Sequence, residues 1–129
     1  MEDEHVCMAN IELLPGCAYF GVFDGHGGAG AAHYVAQSLL PQIIEQVSAI
    51  DEAEGKELHN KLETALPLAF ISTDDYMASH TTEYRQADDT EDPGSTAITA
   101  IITPTHFVFA HLGDARCVLD LVFSRTLLP

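Results

Sequence analysis

Tryptophan is missing altogether, and basic residues are scarce: five Lys and Arg stand against 20 Asp and Glu, for a formal net charge of −15. A surface this acidic repels nucleic-acid backbones and anionic lipid, which argues against both as partners. Any anionic substrate would need a bound cation or a local Arg to offset the repulsion. Cysteine is sparse too. Cys7, Cys17 and Cys117 form an odd, scattered set with no CxxC pair. They read as reduced core residues of an intracellular protein, cytoplasmic or nuclear, and not as a disulfide framework. The seven histidines show no close paired spacing, which speaks against zinc. No apolar run reaches membrane-spanning length, and the acidic N-terminus is unlike a signal peptide.

What remains is a chain of 129 residues with 47% hydrophobic content, enough for one domain with a core. The stretch Val6 to Leu14 predicts a strand pair closed by the turn Pro15-Gly16. Residues 17–23, apolar and rich in aromatics, predict a buried strand. Ala32, Val35, Ala36, Leu39, Leu40, Ile43, Ile44 and Val47 recur at helical spacing and predict one helix, with Pro41 as a kink or restart. Asp51 with Glu54 suggests a capping box. A second helix follows, with Leu58, Leu62, Ala65, Leu66, Ala69, Phe70 and Thr73 inward and Pro67 as another kink. Thr81 to Asp92 reads as a polar, mobile loop. Residues 95–103 predict a central strand covered on both faces, His106 to Leu112 the next, and Arg116 to Leu119 the start of a third. Strands, two helices and then a meander of strands argue for an α+β fold with a mainly antiparallel sheet.

The chemistry-bearing stretch is Asp24-Gly25-His26-Gly27-Gly28, at the tip of the aromatic strand. Gly25 to Gly30 fits G-x-G-x-x-G, which invites a dinucleotide-binding reading. Against it, Asp24 would crowd a pyrophosphate, and Asp51 and Glu52 follow a helical pattern where the acidic residue should close a second strand. A metal reading accounts for more residues. Mg²⁺ and Mn²⁺ want oxygen ligands, Asp24 offers a carboxylate, and Gly25 lets its carbonyl approach. Glu2 and Asp3 could add oxygens if the first strand lies beside this one, although residues 2–5 taken in isolation read as a frayed, solvated end. His26 is close enough in sequence to share the site and could donate a proton to a leaving group. A plain Asp-Gly hairpin turn with a surface histidine stands beside this reading.

Three blocks resemble the metal-dependent protein Ser/Thr phosphatases of type 2C, the PPM family. Met1-Glu2-Asp3-Glu4-His5 resembles M-E-D-x-H. Phe20-Gly21-Val22-Phe23-Asp24-Gly25-His26-Gly27-Gly28 is similar to F-x-V-F-D-G-H-G-G. Pro93-Gly94-Ser95-Thr96-Ala97, followed by Ala110-His111-Leu112-Gly113-Asp114-Ala115-Arg116, resembles G-S-T-A…A-N-x-G-D-S/A-R. The segment Leu66 to Tyr76 resembles the family's helix ending in a-F-x-x-t-D. The resemblance implies the N-terminal part of a phosphatase domain over residues 1–119, with a divergent tail at 120–129. It implies a partial sandwich of antiparallel sheets flanked by helices. The implied activity is hydrolysis of phosphoserine and phosphothreonine in a phosphoprotein substrate by metal-activated water, with two Mg²⁺ or Mn²⁺ ions in the complete site. By position, Asp24 bridges the ions, Gly25 adds its carbonyl, Glu2 binds one ion, Asp3 holds metal-bound water, and His26 is the general acid. Gly94 and Gly113-Asp114 are implied to be structural, and Arg116 a structural ion-pair partner. His111 stands where the family has Asn, and the family's upstream Arg and its later S-D-G and D-N blocks are not in these residues. A non-catalytic regulatory or interaction fragment is therefore the alternative.

Overall fold

A computed structural model describes residues 2–50, 57–80, 84 and 92–120. Among the described residues, six strands and two helices run in the order β1 (Glu4–Met8), β2 (Ala18–Phe23), β3 (Gly25–His26), α1 (Gly30–Ala49), α2 (Leu58–Ser79), β4 (Gly94–Ser95), β5 (Ala97–Ile102) and β6 (Phe107–Leu112). β1, β2, β5 and β6 form a four-stranded sheet in the order β1-β2-β5-β6, and β3 pairs with β4. Every pairing is antiparallel. This is the α+β architecture expected. Among the described residues it contains no parallel βαβ unit for a dinucleotide, so the G-x-G-x-x-G reading is set aside.

Alternation along β2 sets the layers. Tyr19, Gly21 and Phe23 are buried while Phe20 and Val22 are exposed, the period-2 signature of a sheet with one covered face. The cover is the helix pair. α1 turns Val35, Leu39, Leu40, Ile43 and Val47 inward, and α2 turns Leu62, Ala65, Leu66 and Ala69 inward. These side chains meet Tyr19, Phe23 and Ile101 in one core. Each large aliphatic or aromatic group so buried is worth about 1.5–3 kcal/mol. Neither Pro41 nor Pro67 interrupts its helix, contrary to the restart expected of Pro41. Both prolines are exposed, and Leu40 and Ile43, or Leu66 and Ala69, anchor the chain on either side. Their burial offsets a proline cost of about 3 kcal/mol. No described helix is long and apolar enough to cross a membrane.

Two expected strands are corrected. The strand pair over Val6 to Leu14 is instead β1 alone, which starts at Glu4 and pairs with β2. Residues 9–17 fold into a tight loop in which Leu14 N–H donates to Ile11 O (3.0 Å) and Cys17 N–H to Leu14 O (3.1 Å). Ile11 and Leu14 are thereby tucked into the core, as is Cys17; Cys7 and Cys117, expected there too, are exposed, Cys7 because it pairs with Phe20 on the face of the sheet that the helices do not cover. No strand begins at Arg116. Residues 115–120 pair with nothing among the described residues, and Val118 is 88% exposed. Arg116, expected in an ion pair, is exposed and makes none among the described residues, because its segment stands off the sheet. β5 is covered by the helices on one face only, with Ile98, Ala100 and Ile102 half-buried on the other. The Asp51–Glu54 capping box and nearly all of the Thr81–Asp92 loop lie outside the described residues. α2 starts from Glu57 without a side-chain cap.

One buried polar atom has no partner among the described residues: the Tyr19 hydroxyl, on a wholly buried ring. Burial pushes the Tyr19 phenol well above its ordinary range. The phenol then ionises far more readily in the unfolded chain, so the contribution of Tyr19 to stability is level below about pH 9 and falls as pH rises past the ordinary tyrosine pKa of about 10. Tyr19→Phe removes an unsatisfied hydroxyl at little cost in shape. It is expected to raise stability by about 1 kcal/mol and to flatten the alkaline fall, both read from urea unfolding at pH 7 and pH 10.5.

Candidate metal centre

The β1–β2 ladder ends at the pair Glu4↔Phe23. Its register, continued, sets Asp3 opposite Asp24 and Glu2 opposite Gly25. The approach is real at the second of these positions. A Cβ built on Gly25 would lie 2.6 Å from the Glu2 carbonyl oxygen, 3.4 Å from Glu2 Cβ and 3.0 Å from Ala32 Cβ. Glycine is required there because Glu2 on one side and α1 on the other leave no room for a methyl group. Residues 2–3 are thus not a free end. Glu2 is half-buried, and Asp3 and Asp24 are exposed.

A second ladder meets Asp24 from the other side. The β2–β5 register (Val22↔Ile98) and the β3–β4 register (Gly25↔Ser95) are the same register, and Asp24 faces Thr96 in the gap between them. Thr96 N–H donates to Asp24 O at 2.8 Å. In return Asp24 N–H donates to Thr96 Oγ1 at 3.3 Å, while Ser95 Oγ lies 3.3 Å from Asp24 O and 2.7 Å from Thr96 O. A side-chain hydroxyl has replaced a carbonyl in the ladder. The Asp24 peptide is therefore held on both sides, with its carboxylate free in solvent.

His26 follows on β3. Its imidazole lies over Gly94, where a Cβ would come 2.5 Å from Cε1 and 2.6 Å from Nε2. Gly94 is structural in that sense: it makes room for the ring. The imidazole borders a cavity of about 360 Å³ reaching α2, lined among others by Thr73, Asp74, Met77 and Ser95. Gly27 and Gly28 both have positive φ (67° and 105°) and turn the chain from β3 into α1.

A further contact near this end is silent in the sequence. His33 on α1 lies 3.2 Å from Glu4 Oε1 through Nδ1, and its Nε2 lies 2.8 Å from Gln37 Nε2. An amide nitrogen only donates, so in this arrangement Nε2 accepts and Nδ1–H donates to Glu4. The contact ties the start of β1 to α1.

The fit to a metal is one of kind. Glu2, Asp3 and Asp24 offer hard oxygen donors at the same end of the sheet, as Mg²⁺-type ions require. Their side chains are not gathered into a cage: among the described residues no group of three His, Cys, Asp or Glu side chains could hold an ion.

Residues 1–121 match the family described as Protein phosphatase 2C. A probable protein phosphatase 2C 27 of Arabidopsis thaliana is 35% identical over 130 residues, covering 92% of this chain and 30% of that protein. Protein phosphatase 1B of Mus musculus is 34% identical, covering 92% and 31%. The crystal structure of a serine-threonine phosphatase 2C from Toxoplasma gondii superimposes with a TM-score of 0.66 at 26% identity, over 88% of this chain and 38% of that one. The chain spans about 30% of the length of the curated relatives it matches. With that match, the shared fold and the carboxylates at the end of β1 and β2, the chain belongs to the protein phosphatase 2C family, whose members are metal-dependent.

Proposed function

We propose that this chain forms the N-terminal part of a Mg²⁺- or Mn²⁺-dependent protein Ser/Thr phosphatase acting on phosphoproteins. The observation that supports the reading is the close approach of Glu2 to Gly25, together with the β1–β2 register, which continued past Glu4↔Phe23 sets Asp3 opposite Asp24. In this reading Asp24, the Gly25 carbonyl and Glu2 would hold the metal, and Asp3 would orient water beside it. Bound divalent cations would offset the charge of the phosphate and lower the pKa of water. The protein's own acid is His26. Its imidazolium gives a proton to the departing Ser or Thr Oγ as the P–O bond breaks, so the alcohol leaves neutral and water supplies the fourth oxygen of inorganic phosphate. With a formal charge of −15, the surface would otherwise repel a phosphorylated segment, so metal is needed for binding as well as for chemistry. The unpaired thiols of Cys7, Cys17 and Cys117 support an intracellular setting.

The test is turnover of a phosphothreonine peptide by the protein that carries this chain. Release of phosphate in Mn²⁺ that stops with EDTA and returns with excess Mn²⁺ is the expected result; release indifferent to EDTA would overturn the metal-dependent reading. That no group of three ligand side chains is gathered among the described residues favours a second reading for the 129 residues taken alone, a non-catalytic regulatory piece. EDTA-sensitive turnover by the purified 129-residue chain would exclude it.

A further inference from the structure

We infer that the hydroxyls of Ser95 and Thr96 are positioning groups that set the pose of Asp24 and thereby the affinity of the metal site. The inference rests on the assignment of Asp24 as a metal ligand and adds a determinant more than 70 residues away along the chain.

The argument starts from the ladder. In a regular antiparallel pair, facing residues exchange N–H and C=O bonds. At the pair Asp24–Thr96 half of that exchange is rerouted: Asp24 N–H goes to Thr96 Oγ1, and the Thr96 carbonyl is engaged by Ser95 Oγ at 2.7 Å. Ser95 Oγ also lies within 3.3 Å of the Asp24 carbonyl. The sheet is regular on both sides of this point and broken only here, between β2 and β3 and between β4 and β5. Two side chains therefore determine where the Asp24 peptide sits and how its Cα–Cβ bond is aimed. A carboxylate that must reach an ion tolerates little error in that aim, and losing an outer-shell partner commonly costs metal sites about 10–100-fold in affinity.

Apolar replacement separates hydroxyl from shape. Thr96→Val keeps the β-branch and the strand propensity but leaves Asp24 N–H without its acceptor. Thr96→Ser keeps the hydroxyl and loses only a methyl group. Mn²⁺ binding to the purified chain, followed by loss of the free-ion EPR signal, is the readout. Thr96→Val is expected to bind about tenfold more weakly, and Thr96→Ser within about twofold of the parent. The inference is overturned if Thr96→Val binds like the parent, or if Thr96→Ser is as weak as Thr96→Val. Should Thr96→Val fail to fold, Ser95→Ala decides: weaker Mn²⁺ binding supports the inference, and unchanged binding overturns it. Asp24→Ala, run alongside, tells the two layers apart. If Asp24→Ala still binds Mn²⁺ like the parent, the ligand assignment itself has failed. If Asp24→Ala loses binding while Thr96→Val keeps it, only the positioning role has failed.

Discussion

Asp24→Ala is expected to remove Mn²⁺ binding while leaving the fold intact. Its magnitude follows from comparison with outer-shell groups: these cost up to about 100-fold in affinity, and a directly bound carboxylate must cost more. Stability should behave otherwise. The Asp24 carboxylate is exposed and takes part in none of the hydrogen bonds that hold its peptide, which run through its backbone N–H and C=O to Ser95 and Thr96. Exposed positions of this sort usually change stability by less than about 0.5 kcal/mol. Continued register also sets Asp24 opposite Asp3, and like charges across a ladder are unfavourable. Without metal, the alanine variant should match or slightly exceed the parent in urea unfolding. Added Mn²⁺ should then separate them, because a ligand stabilises only the form it binds: the parent's midpoint rises with Mn²⁺ concentration and the variant's does not. Equal metal-dependent shifts in both proteins would refute the role given to Asp24. Asp24→Asn refines the reading, since it keeps the shape and one oxygen but not the charge.

How much of this was open to reading without coordinates depended on how local each signal is. Helix α1 carries its own evidence: the residues from Ala32 to Val47 repeat every three or four positions, and the buried face found is the one that period marks. The strand over residues 17–23 announced itself by composition. Strand edges did not, because a strand exists only where something pairs with it. Val6 to Leu14 and Arg116 to Leu119 look alike in apolar content, yet β1 found β2, while the segment after Gly113 has no partner among the described residues and leaves Val118 in solvent. The candidate site divides in the same way. Asp24, Gly25 and His26 were visible as a strand tip rich in glycine, and Glu2 and Asp3 through their resemblance to a known block. The Ser95–Thr96 clamp was not, since a hydroxyl standing in for a carbonyl across a sheet leaves no mark on the residues around it. Nor was the His33–Glu4 contact, which joins one exposed polar residue on a helix to another on a strand.

Phe23→Ala is expected to cost about 3–5 kcal/mol, the usual range for a buried phenylalanine. The ring is fully buried and belongs to the core that joins β2 to both helices. Its setting argues for the upper part of that range. Phe23 folds back over Gly21, where a Cβ would lie 2.6 Å from Cζ, so the space beneath the ring exists only because residue 21 has no side chain. Removing the ring leaves a void that Gly21 cannot help to fill, and cavities that cannot collapse are the costly ones. A domain of this size is stable by only about 5–15 kcal/mol, so the variant should unfold at a much lower urea concentration with little change in slope. The loss also reaches the site. Phe23 immediately precedes Asp24 and pairs with Glu4, the residue after Asp3. Its ring therefore anchors both strands next to the residues proposed to bind metal. Saturating Mn²⁺ should recover part of the lost stability if the variant still binds the ion. A cost below about 1 kcal/mol would mean that the ring is not the anchor of this strand end, because even Ile→Val changes in a core cost that much.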